Sequence, residues 1–355
     1  QVVKSTTATD YVSNILRCSA GDTASSADAA DGADYSWGTL SDGRLGVGGT
    51  SGKKKFAVPV KRGDDPAYPD LTGIRDVDAC LDFAISREAN ALETSGALGR
   101  VWVWGKNGNG QLARGNTTQS NRAQLAMLDA STTLTDAWDV TAAAFHTAIV
   151  RWKDGDPAIQ GTVWCAGTPT YGRLGNGLTS GANATYPVQV LKADDTPLTG
   201  IVQIDAGEFH TLALDENGHV WSWGRNAQGE IGDGTTTTRS KAVQVKNADG
   251  TGHLDNVVAV VASGYQGLGN SIALTADGSI WGWGKNNKGQ LGTGQQTNLP
   301  TPLPTAHLDN HVAEGQPIVL LDSDLDQVIS PAAATLIASP SHSGAGGSAL
   351  ITRVD

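Results

Sequence analysis

The stretch from Ile201 to Val245 constrains this chain most, because it is the cleanest copy of a unit that recurs along the whole sequence. Ile201 to Ala206 presents two faces: Ile201, Gln203 and Asp205 on one, Val202, Ile204 and Ala206 on the other. The second face is wholly apolar, which is a strand signal. Gly207 ends this run, and Thr211 to Leu214 reads as a second short strand. Asp215 to Gly218 form a turn, since an Asn-Gly pair between two apolar runs supplies the positive φ of a tight hairpin. His219 to Trp223 reads as a third strand, ended by Gly224. Gly229, Gly232 and Gly234 leave too little side chain for regular structure, so an ordered loop is expected there, followed by a short fourth strand at Val243 to Val245.

Four short strands joined by turns cannot bury both faces alone and must stack on copies of themselves. The copies are present. The Trp-Gly pair and the glycine loop recur at Trp37-Gly38 with Gly43, at Trp104-Gly105 with Gly110, and at Trp283-Gly284 with Gly289. Ala166-Gly167 with Gly172 is a copy in which Ala166 replaces the tryptophan. The first loop glycine falls at 43, 110, 172, 229 and 289, so successive spacings are 67, 62, 57 and 60. A period near 60 with four strands per unit fits a β-propeller blade. The Ala-Gly pair before a His, the Asn-Gly hairpin leading to Trp-Gly, and the glycine loop together resemble the regulator of chromosome condensation repeat family of propellers, over almost the whole chain.

The sequence therefore predicts an all-β chain, one β-propeller domain over 1–355, with blades near 15–60, 74–128, 138–191, 201–245, 257–304 and 318–355. That makes six blades, with the family's seven as the alternative. In the last blade, Ile318 to Asp322, Thr335 to Ala338 and Ala349 to Val354 are the expected strands, with no Trp-Gly and no glycine loop. Gln1-Val2-Val3-Lys4 resembles Val243-Gln244-Val245-Lys246, so residues 1–4 are expected to complete that blade and close the ring. Inserts are expected at Arg87 to Gly99, Lys153 to Gly161 and Tyr265 to Gly269. Long polar connectors, such as Arg62 to Thr72 and Lys192 to Thr199, are the natural variable surface.

Composition narrows the function classes. The net charge is −11, with 25 Lys and Arg against 36 Asp and Glu. This argues against nucleic acid, whose binding rests on neutralising phosphates. No apolar run is long enough to span a bilayer as a helix, so no membrane insertion is expected. Three cysteines leave at least one unpaired. Cys18 aligns with Ile204 and is expected in the core, Cys165 is expected to be an ordinary strand residue, and a Cys18–Cys80 disulfide is a candidate.

The candidate sites are few. Asp322, Asp324 and Asp326 alternate along a segment that could hold Ca²⁺, a cofactor otherwise not called for. Arg62-Gly63-Asp64 resembles an adhesive tripeptide in an exposed connector. Trp138 and Trp152 lie outside the repeat pattern and are candidate exposed aromatic contacts. Asn116 and Asn183 fit the glycosylation pattern. His146 and His210 occupy one repeat position, and each is expected to hydrogen-bond within its own blade. The repeat tryptophans are expected to pack between blades.

No Ser/His/Asp order, P-loop or dinucleotide fingerprint is present, so the chain is read as a non-enzyme. The expected function is a protein-binding propeller: a secreted or surface-exposed bacterial or phage interaction or adhesion module, in or on an extracellular appendage. The start at Gln1 suggests a processed or excised chain. Two alternatives stand beside this. One is an inhibitor of a secreted enzyme. The other, which the family resemblance implies, is guanine-nucleotide exchange on a small GTPase.

Overall fold

The computed structural model describes residues 4, 11–21, 23–63, 70–89, 99–152, 156, 160–264, 268–305, 334–339 and 348–353. The chain divides into two compact units, Gln1–Pro169 with Ser180–Val190, and Thr170–Thr179 with Leu191–Asp355.

The first unit holds three antiparallel four-stranded sheets, each in sequence order. They are β1 (Ile15–Ala20), β2 (Ala24–Ala29), β3 (Asp34–Thr39) and β4 (Lys53–Pro59), then β5 (Ile74–Cys80), β6 (Phe83–Glu88), β7 (Val101–Gly105) and β8 (Ser120–Leu125). The third sheet is β9 (Ala137–Ala142), β10 (His146–Arg151), β11 (Thr162–Gly167) and β12 (Ala184–Gln189). The second unit repeats the order twice, with β13 (Ile201–Ala206), β14 (His210–Asp215), β15 (Val220–Gly224) and β16 (Arg239–Gln244), and with β17 (Val257–Ser263), β18 (Asn270–Thr275), β19 (Ile280–Gly284) and β20 (Leu299–Pro304). A hairpin of β21 (Ala334–Ser339) and β22 (Ser348–Arg353) follows, where the second and third strands of the last blade are expected. Its expected first strand at 318–322 and the closure by residues 1–3 lie outside the described residues. Lys4 is described; its ammonium lies 5.1 Å from the Tyr35 ring centre.

Within each unit the inner strands are joined by side chains that act as backbone surrogates. Ser19 Oγ accepts from the Ala79 amide at 2.9 Å, Asp78 Oδ2 from the Ala142 amide at 2.8 Å, and Asp205 Oδ2 from the Ala262 amide at 2.8 Å. These three residues share one repeat position, so the first sheet holds the second, the second the third, and the fourth the fifth at the same point. Gln203 does the same twice over, accepting from the Val260 amide at 3.0 Å and donating to its carbonyl at 3.1 Å.

The glycine at the Trp-Gly position of the repeat marks a close backbone crossing in the first four repeats. A Cβ on Gly38, Gly105, Gly167 or Gly224 would lie 2.3, 2.4, 2.3 or 2.4 Å from the carbonyl oxygen of Thr23, Asp82, Phe145 or Phe209. Gly224 also has φ +111, which side-chain-bearing residues avoid. Gly224→Ala is expected to cost about 2 kcal/mol or more, read as a lower urea midpoint with an unchanged m-value.

Three expectations are corrected. Cys18 is exposed together with its strand neighbours Leu16 (48%) and Arg17, whereas the matching Ile204 is buried, so the outer face of β1 is open where that of β13 is covered. Cys18, Cys80 and Cys165 are not disulfide-bonded in this structure, so the candidate Cys18–Cys80 bridge is not made. The fourth strand of the reference repeat begins at Arg239, not Val243. Arg239, Ser240 and Lys241 are polar because β16 is the outer strand of its sheet and these three residues are only half-buried.

Candidate binding surface

In the second unit the glycine loop at 170–179 meets the turn between β13 and β14. Tyr171 stands on the loop with φ +63 and is 45% exposed. Its ring meets that of Phe209 edge-on, with centroids 5.6 Å apart and planes at 86°. Two guanidiniums lie against the pair: Arg173 is 4.6 Å from the Phe209 centroid and 5.5 Å from that of Tyr171, and Arg225 is 5.4 and 5.9 Å away. Burial pulls the Arg173 pKa down to about 10, and Glu208 and Tyr171 oppose that shift. Leu178, on the same loop, is 52% exposed. Tyrosine, phenylalanine and arginine side chains fixed against one another beside exposed leucine have the composition of a protein-contact patch.

The loop is held from behind by the repeat. Trp223 Nε1 donates to the Arg173 carbonyl at 2.9 Å. Trp283 Nε1 donates to the Glu230 carbonyl at 2.9 Å, and in the first unit Trp104 Nε1 donates to the Arg44 carbonyl at 3.0 Å. Each indole is fully buried and holds the glycine loop of the repeat before it. The expected packing between blades is thus a specific hydrogen bond. In the copy with Ala166, Thr147 Oγ1 donates to the Gln111 carbonyl instead, at 3.0 Å.

His210 does not bond within its own sheet as expected. Its Nε2 lies 2.9 Å from Ser271 Oγ of β18. The Ser271 hydroxyl donates to the Glu230 carbonyl at 2.8 Å, so the histidine is the donor to the serine. Burial lowers the His210 pKa to about 4, which keeps it neutral. The pair joins two sheets and does not make a nucleophile, because the serine proton points away from the imidazole.

The other candidates are placed as follows. Arg62 does not project freely. Its guanidinium lies 4.8 Å from the Trp102 ring centre, and the Gly63 amide donates to the Ala123 carbonyl at 2.8 Å. Asp64 lies outside the described residues, as do Asp322, Asp324 and Asp326. Among the described residues no group of three or more His, Cys, Asp or Glu could hold a metal ion. Trp138 and Trp152 are brought together, ring centroids 6.2 Å apart, and both are half-buried. Asn116 is exposed, and its carboxamide is already bonded to Thr118 and Arg114. No helix among the described residues is long and apolar enough to cross a membrane.

Sequence reasoning passed over Tyr171 and Phe209. A signal was available: the residue before the loop glycine is Asp42, Asn109, Gln228 or Lys288 in the other copies, and aromatic only at Tyr171.

Among known proteins, the chain is 27% identical over 292 residues to the E3 ubiquitin-protein ligase HERC2 of Mus musculus, an alignment covering 81% of this chain and 5% of that protein. It is 30% identical over 203 residues to the ultraviolet-B receptor UVR8 of Arabidopsis thaliana, covering 57% of this chain and 41% of the receptor. The chain thus spans a minor part of these relatives. Its fold is similar to that of human WBSCR16, with TM-score 0.62 and 18% identity over 82% of this chain and 67% of that one. Prp20p from Saccharomyces cerevisiae is similar at TM-score 0.53 and 16% identity, over 83% of this chain and 78% of that one. The Regulator of chromosome condensation (RCC1) repeat matches residues 99–150, 160–214, 217–268 and 277–314, and a second form of it matches 201–230 and 257–290. With more than half of its length matched and five sheets of the same strand order, the chain belongs to the RCC1 repeat family of all-β propeller proteins.

Proposed function

We propose that this chain is a non-enzymatic protein-binding module that meets its partner through the Tyr171–Phe209 face of the second unit. The observation that carries the reading is the exposed Tyr171 ring, fixed edge-on to Phe209 between Arg173 and Arg225. Rigid aromatics bind at low entropic cost, and such residues dominate interface energetics. The only His–Ser pair described above is tied into the fold, which supports binding over hydrolysis.

The same proposal includes the setting, a secreted or surface-exposed adhesion or appendage module. The acidic balance of the chain supports it, and protease treatment of intact cells tests it: a fully protected protein refutes the setting. Yeast Prp20p, whose structure was described together with its binding to Gsp1p and histones, lends a second reading. That reading is nucleotide exchange on a small GTPase, and accelerated nucleotide release in an exchange assay would replace the first.

Tyr171→Gly separates function from folding. Glycine accepts φ +63 without strain, so the thermal midpoint should hold or rise slightly. Capture of the native partner should weaken by about thirtyfold, the effect of losing roughly 2 kcal/mol at a hot spot. Unchanged capture by a folded Tyr171→Gly protein would remove this face from the proposal.

A further inference from the structure

The outer edge of the fourth sheet carries an open pocket of about 570 Å³, lined by Lys192, Asp194, Trp221, Asp233, Arg239 and Lys246 among others. The same place in the first unit shows what it lacks. There Arg62 bridges in parallel to Ala123 of β8, and its guanidinium covers Trp102. In the second unit Lys192 bridges in the same way to Ala242 of β16, and Trp221 replaces Trp102. Among the described residues no cation lies over the Trp221 ring, which is half-buried. Its indole N–H is already bonded to Asp215 Oδ2 at 3.1 Å, so the pocket is offered the ring face.

A second substitution concerns charge. Lys61 follows the fourth strand of the first sheet and bridges to Asp70, whose carboxylate pairs with the Lys61 ammonium. Lys246 follows the fourth strand of the fourth sheet and bridges to His253 in the same antiparallel way. Leu71 and Leu254, the next residues, bond to Val60 and Val245 alike, which fixes the register. His253 therefore stands where Asp70 stands, and Lys246 has no carboxylate in ion-pair contact among the described residues. Lys192 has none either. Arg239 is taken by Asp233, with Nε 2.5 Å from Oδ2. Asp194 is held by Thr196, whose Oγ1 donates to Oδ1 at 2.6 Å. Two ammonium groups with no carboxylate in ion-pair contact among the described residues thus flank an open indole, Lys192 also feeling the charge of Asp194, on a chain of net charge −11.

We propose that this pocket takes a carboxylate side chain from an acidic peptide segment of a partner protein, with an apolar neighbour on Trp221. The occupant supplies between Lys192 and Lys246 the charge that Asp70 supplies to Lys61. The inference rests on the reading of the chain as a protein-binding module, at a surface defined by other residues than Tyr171 and Phe209. Like charges opposed in such a pocket exclude a basic segment, and exposed pairs make the contact salt-sensitive.

The test is fluorescence polarisation of the full chain with a fluorescein-labelled eight-residue peptide of alternating glutamate and leucine. Binding is expected to fall about tenfold in Lys246→Glu and again with Lys192→Glu, and to weaken as salt rises. A peptide with lysine in place of glutamate should not bind. His253→Asp restores the internal carboxylate; it should weaken the acidic peptide about tenfold while leaving the thermal midpoint unchanged or higher. The pocket proposal is overturned by equal binding of the acidic and basic peptides, or by insensitivity to both Lys246→Glu and His253→Asp. Tighter binding of inorganic phosphate or a single-stranded oligonucleotide than of the peptide also overturns it. Tyr171→Gly should bind the peptide normally, so failure of one surface leaves the other standing.

Discussion

Replacing Asp34 by valine should raise the thermal midpoint by several degrees and flatten its dependence on pH. Asp28 and Asp34 face each other across β2 and β3, both fully buried, and among the described residues no side chain donates a hydrogen bond to either carboxylate. The repeat places Val101, Val163 and Val220 where Asp34 stands, so valine is the residue the position accommodates. Burial raises the Asp28 pKa from 3.8 to about 7, and Asp76 adds to the shift. Burial also holds Asp34 well above the ordinary carboxylate range, with Asp28 adding to it. A carboxyl that binds its proton more tightly when folded stabilises the fold at low pH. That contribution is fully present below pH 3.8 and is lost as pH rises through about 7. The natural chain should therefore melt lower at pH 8 than at pH 5. Asp34→Val should gain about 2 kcal/mol by removing an unpartnered buried polar group. Asp28→Asn, similar in shape but uncharged, should remove much of the slope with less gain. A steeper fall with pH in Asp34→Val would refute the account. Thermal scans of the three proteins from pH 4 to 8 decide it.

The second large effect concerns the indole hooks. Trp104→Ala or Trp283→Ala should each cost about 3–5 kcal/mol, as for other buried aromatic truncations. Phenylalanine separates packing from hydrogen bonding, and here the two sites differ. The Glu230 carbonyl accepts from both Trp283 Nε1 and Ser271 Oγ, so Trp283→Phe leaves it satisfied. At the other site the residue matching Ser271 is Ala84, which carries no hydroxyl, and Trp104 Nε1 is the donor to the Arg44 carbonyl. Trp104→Phe should therefore cost about 1–3 kcal/mol more than Trp283→Phe. Urea unfolding followed by circular dichroism measures the difference. Equal costs would mean that the bond to Arg44 contributes nothing beyond shape.

Much of the fold was legible because the repeat multiplies each local signal. One Asn-Gly hairpin or one Trp-Gly pair says little, but five copies in register place the strands of all five sheets near their observed positions. What stayed illegible depends on neighbours that sequence order does not name. Cys18 looked apolar because Ile204 is, yet the face it occupies is exposed. His210 looked local, but its partner lies 61 residues away. Arg239 to Lys241 hid as loop because an outer strand needs no apolar alternation. Tyr171, Lys246 and Asp34 were visible only as departures from the matched position, and a departure gains meaning once the surrounding contacts are known. Asp64 and the Asp322–Asp326 run fall outside the described residues, so the adhesive and Ca²⁺ expectations keep the standing they had from sequence.

The indole hooks also give the chain a direction. Each of these three bonds runs backward, from a tryptophan to the loop of the preceding repeat, so the loops at Arg44, Arg173 and Glu230 are complete only when the following repeat has formed its third strand. During synthesis from the N-terminus, each of these three loops waits on sequence not yet made. The Tyr171 face is subject to the same order: it is fastened only when Trp223, some fifty residues downstream, arrives to hold the Arg173 carbonyl. A chain cut between the two would retain the aromatic residue but lose the bond that fixes its loop, so binding through this face reports that the chain has been made at least as far as Trp223.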